Sequence, residues 1–250
     1  MTSDGTLAAQ LARSAGEVLL ALRAGPSVSG AEGDRLANEH LLAALARHRP
    51  DDAVLSEEAK DDPARVHADR VWIIDPLDGT REYAEHGPDG WRTDFAVHVA
   101  LWQRGAGLIA GAVALPARDR VFSTEPAEPL PALGSDPLRL AVSRSRPPAL
   151  VNRIAEVVPV ELVPMGSAGV KAMAVVTGDA DAYLHGGGQY EWDSAAPVAV
   201  AAACGLHTSR LDGSPLSYNN PDPWLPDLLV CRAEHAPRLL AAVAQIEGGR

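Results

Sequence analysis

Two aspartates three positions apart, Asp75 and Asp78, end the apolar run Val71-Trp72-Ile73-Ile74 and frame the stretch Asp75-Pro76-Leu77-Asp78-Gly79-Thr80. Pro76 holds its own φ at about −65° and biases Asp75 toward an extended backbone. Gly79 lets the chain turn sharply and come close to a ligand. Two hard carboxylates in such a stiff turn can face one small hydrated cation or bridge two. Magnesium sites use few carboxylates and leave room for water and a substrate phosphate. Backbone N–H groups freed around Gly79 and Thr80 are placed to take an anion. An isolated Asp-Gly pair is an ordinary turn; the whole hexapeptide behind a buried strand points to metal and phosphate.

Two further acidic stretches extend the pattern. Val54-Leu55-Ser56-Glu57-Glu58 is an apolar run closed by paired glutamates, and Glu191-Trp192-Asp193-Ser194-Ala195-Ala196 places an acid at the start of an Ala-rich helix. Each is weak alone, since strand-end glutamates are commonly solvated and an aspartate is a common helix cap. Together Glu57, Asp75, Asp78 and Asp193 are four carboxylates at the ends of elements, a placement that suits convergence on metal ions.

Ser-Glu-Glu at 56–58, Trp-Ile-Ile-Asp-Pro-Leu-Asp-Gly-Thr at 72–80 and Trp-Asp-x-Ala-Ala at 192–196 resemble the inositol monophosphatase superfamily of magnesium-dependent, lithium-sensitive phosphomonoesterases. Gly166-Ser167-Ala168-Gly169-Val170-Lys171 and Gly178–Tyr183 share that likeness, which runs from about Leu7 to the C-terminus. Within the superfamily the pattern is most similar to the CysQ-type 3′-phosphoadenosine-5′-phosphate phosphatases in their actinobacterial form. Asp75–Tyr83, Ser143-Arg144-Ser145-Arg146-Pro147-Pro148 and Leu211–Leu216 carry that finer similarity. The resemblance implies an α/β (α+β) fold, a layered αβαβα sandwich of the inositol monophosphatase and fructose-1,6-bisphosphatase type, with the site between the halves.

It also implies roles. Glu57, Asp75, the Leu77 carbonyl, Asp78 and Asp193 would hold two or three Mg²⁺ ions, with Asp78 and Asp193 at a position nearer the leaving group. Glu57, Thr80 and Asp34 would be catalytic, Thr80 holding the attacking water or the phosphate and Asp34 polarising it from behind. Asp34 lies 23 positions before Glu57, as in the inositol phosphatases, but its lead-in Gly30-Ala31-Glu32-Gly33 departs from the family's Thr-x-Ala. A plain helix cap is the other reading of Asp34. The substrate side would be Leu77, Asp78, Gly79, Thr80, Asp193 and a second group, Ser143, Gly166, Ser167 and Lys171. Lys171 reads either as a surface lysine or as a ligand for a non-scissile phosphate. Ser143–Ser145 reads either as a solvated turn or as an anion site. Inhibition by Li⁺ and Ca²⁺, a homodimer, and 3′-phosphoadenylyl sulfate as a further substrate in sulfate assimilation are the remaining implications.

The alternatives are an inositol-1-phosphate or fructose-1,6-bisphosphate phosphatase, and a non-catalytic metal-binding scaffold. Inositol phosphatases carry a glutamate shortly before Trp-Asp; here Leu184-His185-Gly186-Gly187-Gly188-Gln189-Tyr190 has none before Glu191. The Pro-Arg common after the tyrosine in the nucleotide enzymes is absent as well. Scaffolds usually lose a ligand, and all four acids and Thr80 stand.

Composition narrows the classes. The chain has 250 residues, a 46% apolar share and only 4% aromatics, so its core is aliphatic and helix-rich. A net charge of −11 argues against a nucleic-acid groove, which needs a basic face. Bound divalent cations would screen such a protein against an anionic substrate. Cys204 and Cys231 lack metal spacing and read as free thiols in a reducing cytoplasm. No signal segment is visible, and no apolar run approaches the roughly 18 residues that span a bilayer. The eight histidines lack metal spacing, so His98 reads as structural, and Trp72 and Trp192 read as core packing.

Leu7, Leu11, Val18, Leu19 and Leu22 predict a first helix, closed by Gly25-Pro26; Asp34 caps a second, with Leu41, Leu42 and Leu45 on one face. Strands are expected at 54–57, 71–75, 95–101, 108–115 and 121–123, then 138–143, 160–164, 182–184 and 228–231. Helices are expected near 149–157, 168–177, 195–204 and 236–246. The proline-rich stretch Glu125–Pro137 is the best linker, dividing the chain into 1–134, with Glu57 and the Asp75–Thr80 loop, and 135–250, with Asp193 and the substrate-side residues.

Overall fold

A computed structural model describes residues 2–25, 28–132, 137–145 and 149–248. In chain order the elements are α1 (Asp4–Arg23), α2 (Gly30–His48), β1 (Ala53–Ser56), β2 (Arg70–Asp78), α3 (Thr80–Ala84), β3 (His86–Gly87), β4 (Gly90–Trp91), β5 (Ala96–Gln103), β6 (Gly107–Leu115) and β7 (Arg120–Ser123). There follow β8 (Leu138–Ser143), α4 (Ala149–Val157), β9 (Val160–Met165), α5 (Ala168–Thr177), β10 (Ala182–Tyr190), α6 (Glu191–Ala203), β11 (His207–Ser209), β12 (Trp224–Cys231) and α7 (Ala236–Gly248). The proposed division between residues 134 and 135 lies outside the described residues, as do Pro26 at the first helix end and Arg146–Pro148 beyond Ser145.

One five-stranded sheet has the order β1-β2-β5-β6-β7, the other β11-β12-β10-β8-β9. In the first, only β1 and β2 run parallel; in the second, β8 runs parallel to β9 and β10. Strand alternation builds the layers. Trp72 and Ile74 of β2, with Val97, Val99 and Leu101 of β5, face α1 and α2. The opposite side, Val71 and Ile73 with Ala96 and Ala100, faces α5 and α6. Those two helices also cover one face of the second sheet through Tyr183, Leu228 and Val230. Its other face, Leu138, Leu140, Val142 and Leu184, packs on α4 and α7. The result is the five-layer αβαβα sandwich. The small Ala and Val side chains of α5 and α6 let both sheets close on a single helical layer.

Several boundaries differ from the sequence reading. Asp34 is not the cap of α2: Ser29 accepts from the Glu32 N–H at 3.4 Å, which moves the helix start ahead and sets Asp34 inside it. Helix α6 begins at Glu191 rather than Ala195, since an acid in the first turn favours the positive end of the helix dipole. Strand β10 continues to Tyr190, beyond the expected end at 184, with Gly186–Gly188 as an irregularity within it. Trp72 is fully buried, with its indole N–H donating to Asp52 at 2.9 Å.

Leu41 is fully buried where α2 meets the first sheet. Leu41→Ala should lower unfolding free energy by about 2–5 kcal/mol, the usual cost of a deleted core side chain and its cavity. Urea midpoints at constant m-value measure it; a loss under 1 kcal/mol would mean that this layer repacks freely.

Candidate active site

In a regular strand, residues three apart point to opposite faces. Asp75 pairs with His98 but Asp78 with Ala96, so β2 spends three residues where β5 spends two. That bulge re-aims Asp78 to the side of Asp75, the face covered by α6. Asp193, in the first turn of α6, meets them there, and one carboxylate oxygen from each of Asp75, Asp78 and Asp193 lies within 4.8 Å of the others. Glu57 follows β1, which is paired to β2 through Ser56 and Ile74. It is solvent-exposed outside the trio, close enough that its charge raises the Asp75 carboxyl.

Each acid of the trio gives one oxygen to the protein. Asp75 Oδ1 accepts from the Leu77 N–H at 3.0 Å. Asp78 Oδ2 accepts from the Ser167 hydroxyl and from the Gly169 N–H at 2.7 Å, and lies 3.2 Å from His98 Nε2. Asp193 Oδ2 accepts from the Tyr190 N–H at 2.6 Å. The second oxygen has no protein donor among the described residues, and that of Asp75 is buried with no partner at all. Three convergent acids with hard oxygens, one of them buried and unpaired, fit a magnesium-type cation.

The electrostatics express the crowding. Burial, then the charges of Glu57, Asp78 and Asp193, push the Asp75 carboxyl well above the carboxylate range. Burial and Asp78 push Asp193 up to about 6; partial burial and Asp193 push Glu57 up to about 7. Asp78 goes the other way. Burial raises it, but His98, Lys171 and the Ser167 hydroxyl outweigh burial and hold it at about 2. Burial pulls His98 down, yet Asp78 leaves it raised overall, and its Nδ1 sits 3.1 Å from the Trp192 carbonyl. His98 therefore ties β2 to the first turn of α6.

Gly79, at φ 92°, caps the short helix α3 in a conformation that a side chain resists. Thr80 donates to the Leu77 carbonyl at 3.2 Å and is within hydrogen-bonding reach of the Asp34 carboxyl. Burial and the charge of Glu58 raise Asp34 to about 7. Gly169 lets α5 approach: a Cβ there would sit 2.1 Å from His98 Nε2.

Beside the acids opens a cavity of about 520 Å³. Ser143, Lys171 and Asp193 line it together with Tyr183, Gly186–Gly188 and Gln189. Lys171 is not a surface lysine. It is 6% exposed, its Nζ donates to the Ser167 carbonyl at 2.6 Å, and burial lowers its pKa against the pull of Asp78, Glu82 and Asp193. The Gly166 N–H is already taken by Asp94 at 2.6 Å, and Arg144 is ion-paired with the same aspartate. The turn after Ser143 is therefore fastened by its own charges. Asp94 and Gln189 escaped the sequence reading, and His98, read there as structural, was not placed beside the acids. Only the pairing of Asp75 with His98 across β2 and β5 could have flagged the histidine, and that register is not written in either strand alone.

The profile of the inositol monophosphatase family matches residues 6–247, and the chain belongs to that family. It is 54% identical over 260 residues to the 3′-phosphoadenosine 5′-phosphate phosphatase of Mycobacterium leprae (98% of this chain, 94% of the relative). It is 55% identical over 242 residues to the phosphatase of the same name from Mycobacterium tuberculosis (92% and 89%). Its fold is similar to the crystal structure of CysQ from Bacteroides thetaiotaomicron, with a TM-score of 0.75, 30% identity, and 90% and 96% of the two chains covered.

Acids raised in the folded state bind protons that the unfolded chain has released. Stability of the metal-free protein should therefore fall as pH rises from about 4 to about 7, the window between the ordinary carboxyl values and those of Glu57, Asp34 and Asp193. Asp78, ionised in both states there, adds no slope. Magnesium should flatten the profile. Melting temperatures across this range with chelator and with Mg²⁺ test it; parallel profiles would mean that the acids do not share one charge cluster.

Proposed function

We propose that this chain is a magnesium-dependent phosphomonoesterase that removes the 3′-phosphate of 3′-phosphoadenosine 5′-phosphate, and of 3′-phosphoadenylyl sulfate, in sulfate assimilation. One observation carries the reading: a cluster of three converging acids adjoins, through Asp193, a cavity whose wall holds a buried lysine. The names of the mycobacterial relatives support the substrate. Glu57, Asp75, the Leu77 carbonyl, Asp78 and Asp193 would hold two or three ions. Bound Mg²⁺ supplies neutralisation of the phosphoryl oxygens and a more acidic water.

The chain's own residues do the rest. With the Leu77 carbonyl given to the metal, Thr80 Oγ1 would release its bond to that carbonyl, donate instead to Asp34 and accept a hydrogen bond from the attacking water. With its carboxyl at about 7, Asp34 can hold the proton that is released. The N–H groups of Gly79 and Thr80 bind the scissile phosphate. Lys171, with Ser143, takes the phosphate that stays on the nucleotide; Ser167, whose hydroxyl is given to Asp78, holds Lys171 in place through its carbonyl. Among the Lys and Arg residues of the described chain, Lys171 alone lines this cavity. Cytoplasmic location, a homodimer and small-molecule rather than nucleic-acid partners complete the proposal, the last supported by the charge of −11.

Asp75→Asn and Asp78→Asn should keep the fold and abolish turnover, since an amide loses the charge that binds a hard cation. In the unchanged protein, millimolar Li⁺ and Ca²⁺ should inhibit. Near-normal rates in either variant, or indifference to both ions, would refute the metal chemistry.

Lys171→Met keeps the aliphatic stem and removes the charge. It should raise KM for 3′-phosphoadenosine 5′-phosphate roughly 10- to 150-fold, the worth of a lost charge-assisted hydrogen bond, and leave inositol 1-phosphate hydrolysis nearly as it was. Equal losses on both would make Lys171 a structural partner of the acids. A wild-type preference for inositol 1-phosphate or fructose 1,6-bisphosphate would refute the substrate while leaving the metal chemistry standing.

A further inference from the structure

Strand β10 reaches the metal-site helix through an irregularity. Its pairing with β12 is regular from Ala182 to Gly186, shifts, and resumes at Gln189↔Leu225 and Tyr190↔Trp224. Gly187 and Gly188 carry the shift with φ values of 111° and 95°. A bulge re-aims the side chain beside it, and that side chain is Gln189.

Gln189 is 6% exposed and lines the cavity next to Lys171 and Asp193. Neither its Nε2 nor its Oε1 has a hydrogen-bond partner among the described residues. Buried amides in folded proteins are almost always paired, and each unmet half is costly. An amide with both halves unmet on the wall of a substrate cavity is suited to a ligand. Its position is also fixed relative to the chemistry. The next residue, Tyr190, donates its N–H to Asp193 at 2.6 Å, so a pinned turn links the amide to a metal ligand. A carboxamide offers a donor and an acceptor side by side. Adenine offers the complement, its exocyclic amine beside a ring nitrogen, and glutamine reads that edge in bidentate fashion.

We propose that Gln189 determines base specificity by pairing with the amino group and adjacent ring nitrogen of an adenine nucleotide held in this cavity. The inference rests on the adenosine bisphosphate reading above. It adds a residue that neither the metal site nor the phosphate contacts require.

Gln189→Leu separates this role from a structural one. Leucine of similar size replaces an unpaired buried amide, so the melting temperature of the free protein should hold or rise. KM for adenosine 3′,5′-bisphosphate should rise about tenfold or more, the worth of two neutral hydrogen bonds, and calorimetric binding of adenosine 5′-monophosphate should weaken in parallel. The inhibition constant of inorganic phosphate, which has no base, should move less than about twofold. Gln189→Glu keeps the size, sets an acceptor against the ring nitrogen, and should impair adenine binding likewise; it serves if the leucine variant does not fold. A lower melting temperature with equal losses for nucleotide and phosphate would make Gln189 a packing residue. An unchanged KM for the bisphosphate would mean that ordered water alone satisfies the amide. Both results overturn the proposal while the wild type still cleaves the bisphosphate. A wild type inert toward that substrate overturns the functional reading together with it.

Discussion

Carboxylates brought together out of water repel one another, and the rest of this structure is organised around that repulsion. Two unit charges about 4 Å apart interact by roughly 4 kcal/mol at an effective dielectric near 20. Asp75, Asp78 and Asp193 converge within 4.8 Å, with Glu57 and Asp34 alongside. The protein answers with His98 against Asp78, with the charge of Lys171 nearby, and with two donors on Asp78 Oδ2. That answer is partial. It secures one acid as an anion and leaves Asp75, Asp193 and Glu57 raised. The unanswered charge is what gives such a cluster its affinity for divalent cations.

Holding the cluster against its own repulsion needs rigid attachment, and each acid is fixed by a different device. Asp75 ends a central strand and closes a turn onto the Leu77 N–H. Asp78 is turned inward by a bulge. Asp193 is locked to the backbone that leads into its own helix. Ser167 is the most constrained of their supports. It has φ 58° without being glycine, a conformation that costs of order 1–3 kcal/mol and persists only when over-determined. Here its hydroxyl bonds Asp78 and caps Val170, and its carbonyl receives Lys171. Three bonds from one residue hold the strained turn; two of them, to Asp78 and from Lys171, serve the charged centre, and the third caps α5.

The parts of this arrangement that could be read from sequence are the local ones. The apolar run before Asp75, the Asp-Pro-Leu-Asp-Gly-Thr turn and the helical spacing of Leu7, Leu11 and Leu19 announce themselves within a few residues. The acids were recognisable because their types and their places at element ends are local facts. Asp34 as a helix cap was a local inference too, and it misplaced the helix start because Ser29 competes for the same role. What stayed hidden depends on register and on contacts across layers. His98 matters because β5 sets it opposite Asp75, 23 residues away. Asp94 matters because it gathers Gly166 and Arg144 from the far half. Lys171 read equally well as a surface residue, since only the second sheet, closing over α5, buries it.

The same register bears on how an acidic protein would accept the doubly phosphorylated anion proposed as its substrate. With a net charge of −11, the long-range field opposes such a ligand. Recognition therefore has to be short-ranged, through cations and directed hydrogen bonds inside a cavity partly shielded from water. The sandwich supplies that by sharing one helical layer between two sheets. The first sheet delivers Asp75 and Asp78; the second delivers Tyr183 and Gln189; α5 and α6 between them carry Lys171 and Asp193. A cation-binding cluster on the first sheet alone would face bulk solvent. Set against the second sheet, Asp193, the buried lysine and the unpaired amide border a single space beside the other two acids, an arrangement that suits the metal-bridged anion proposed as substrate.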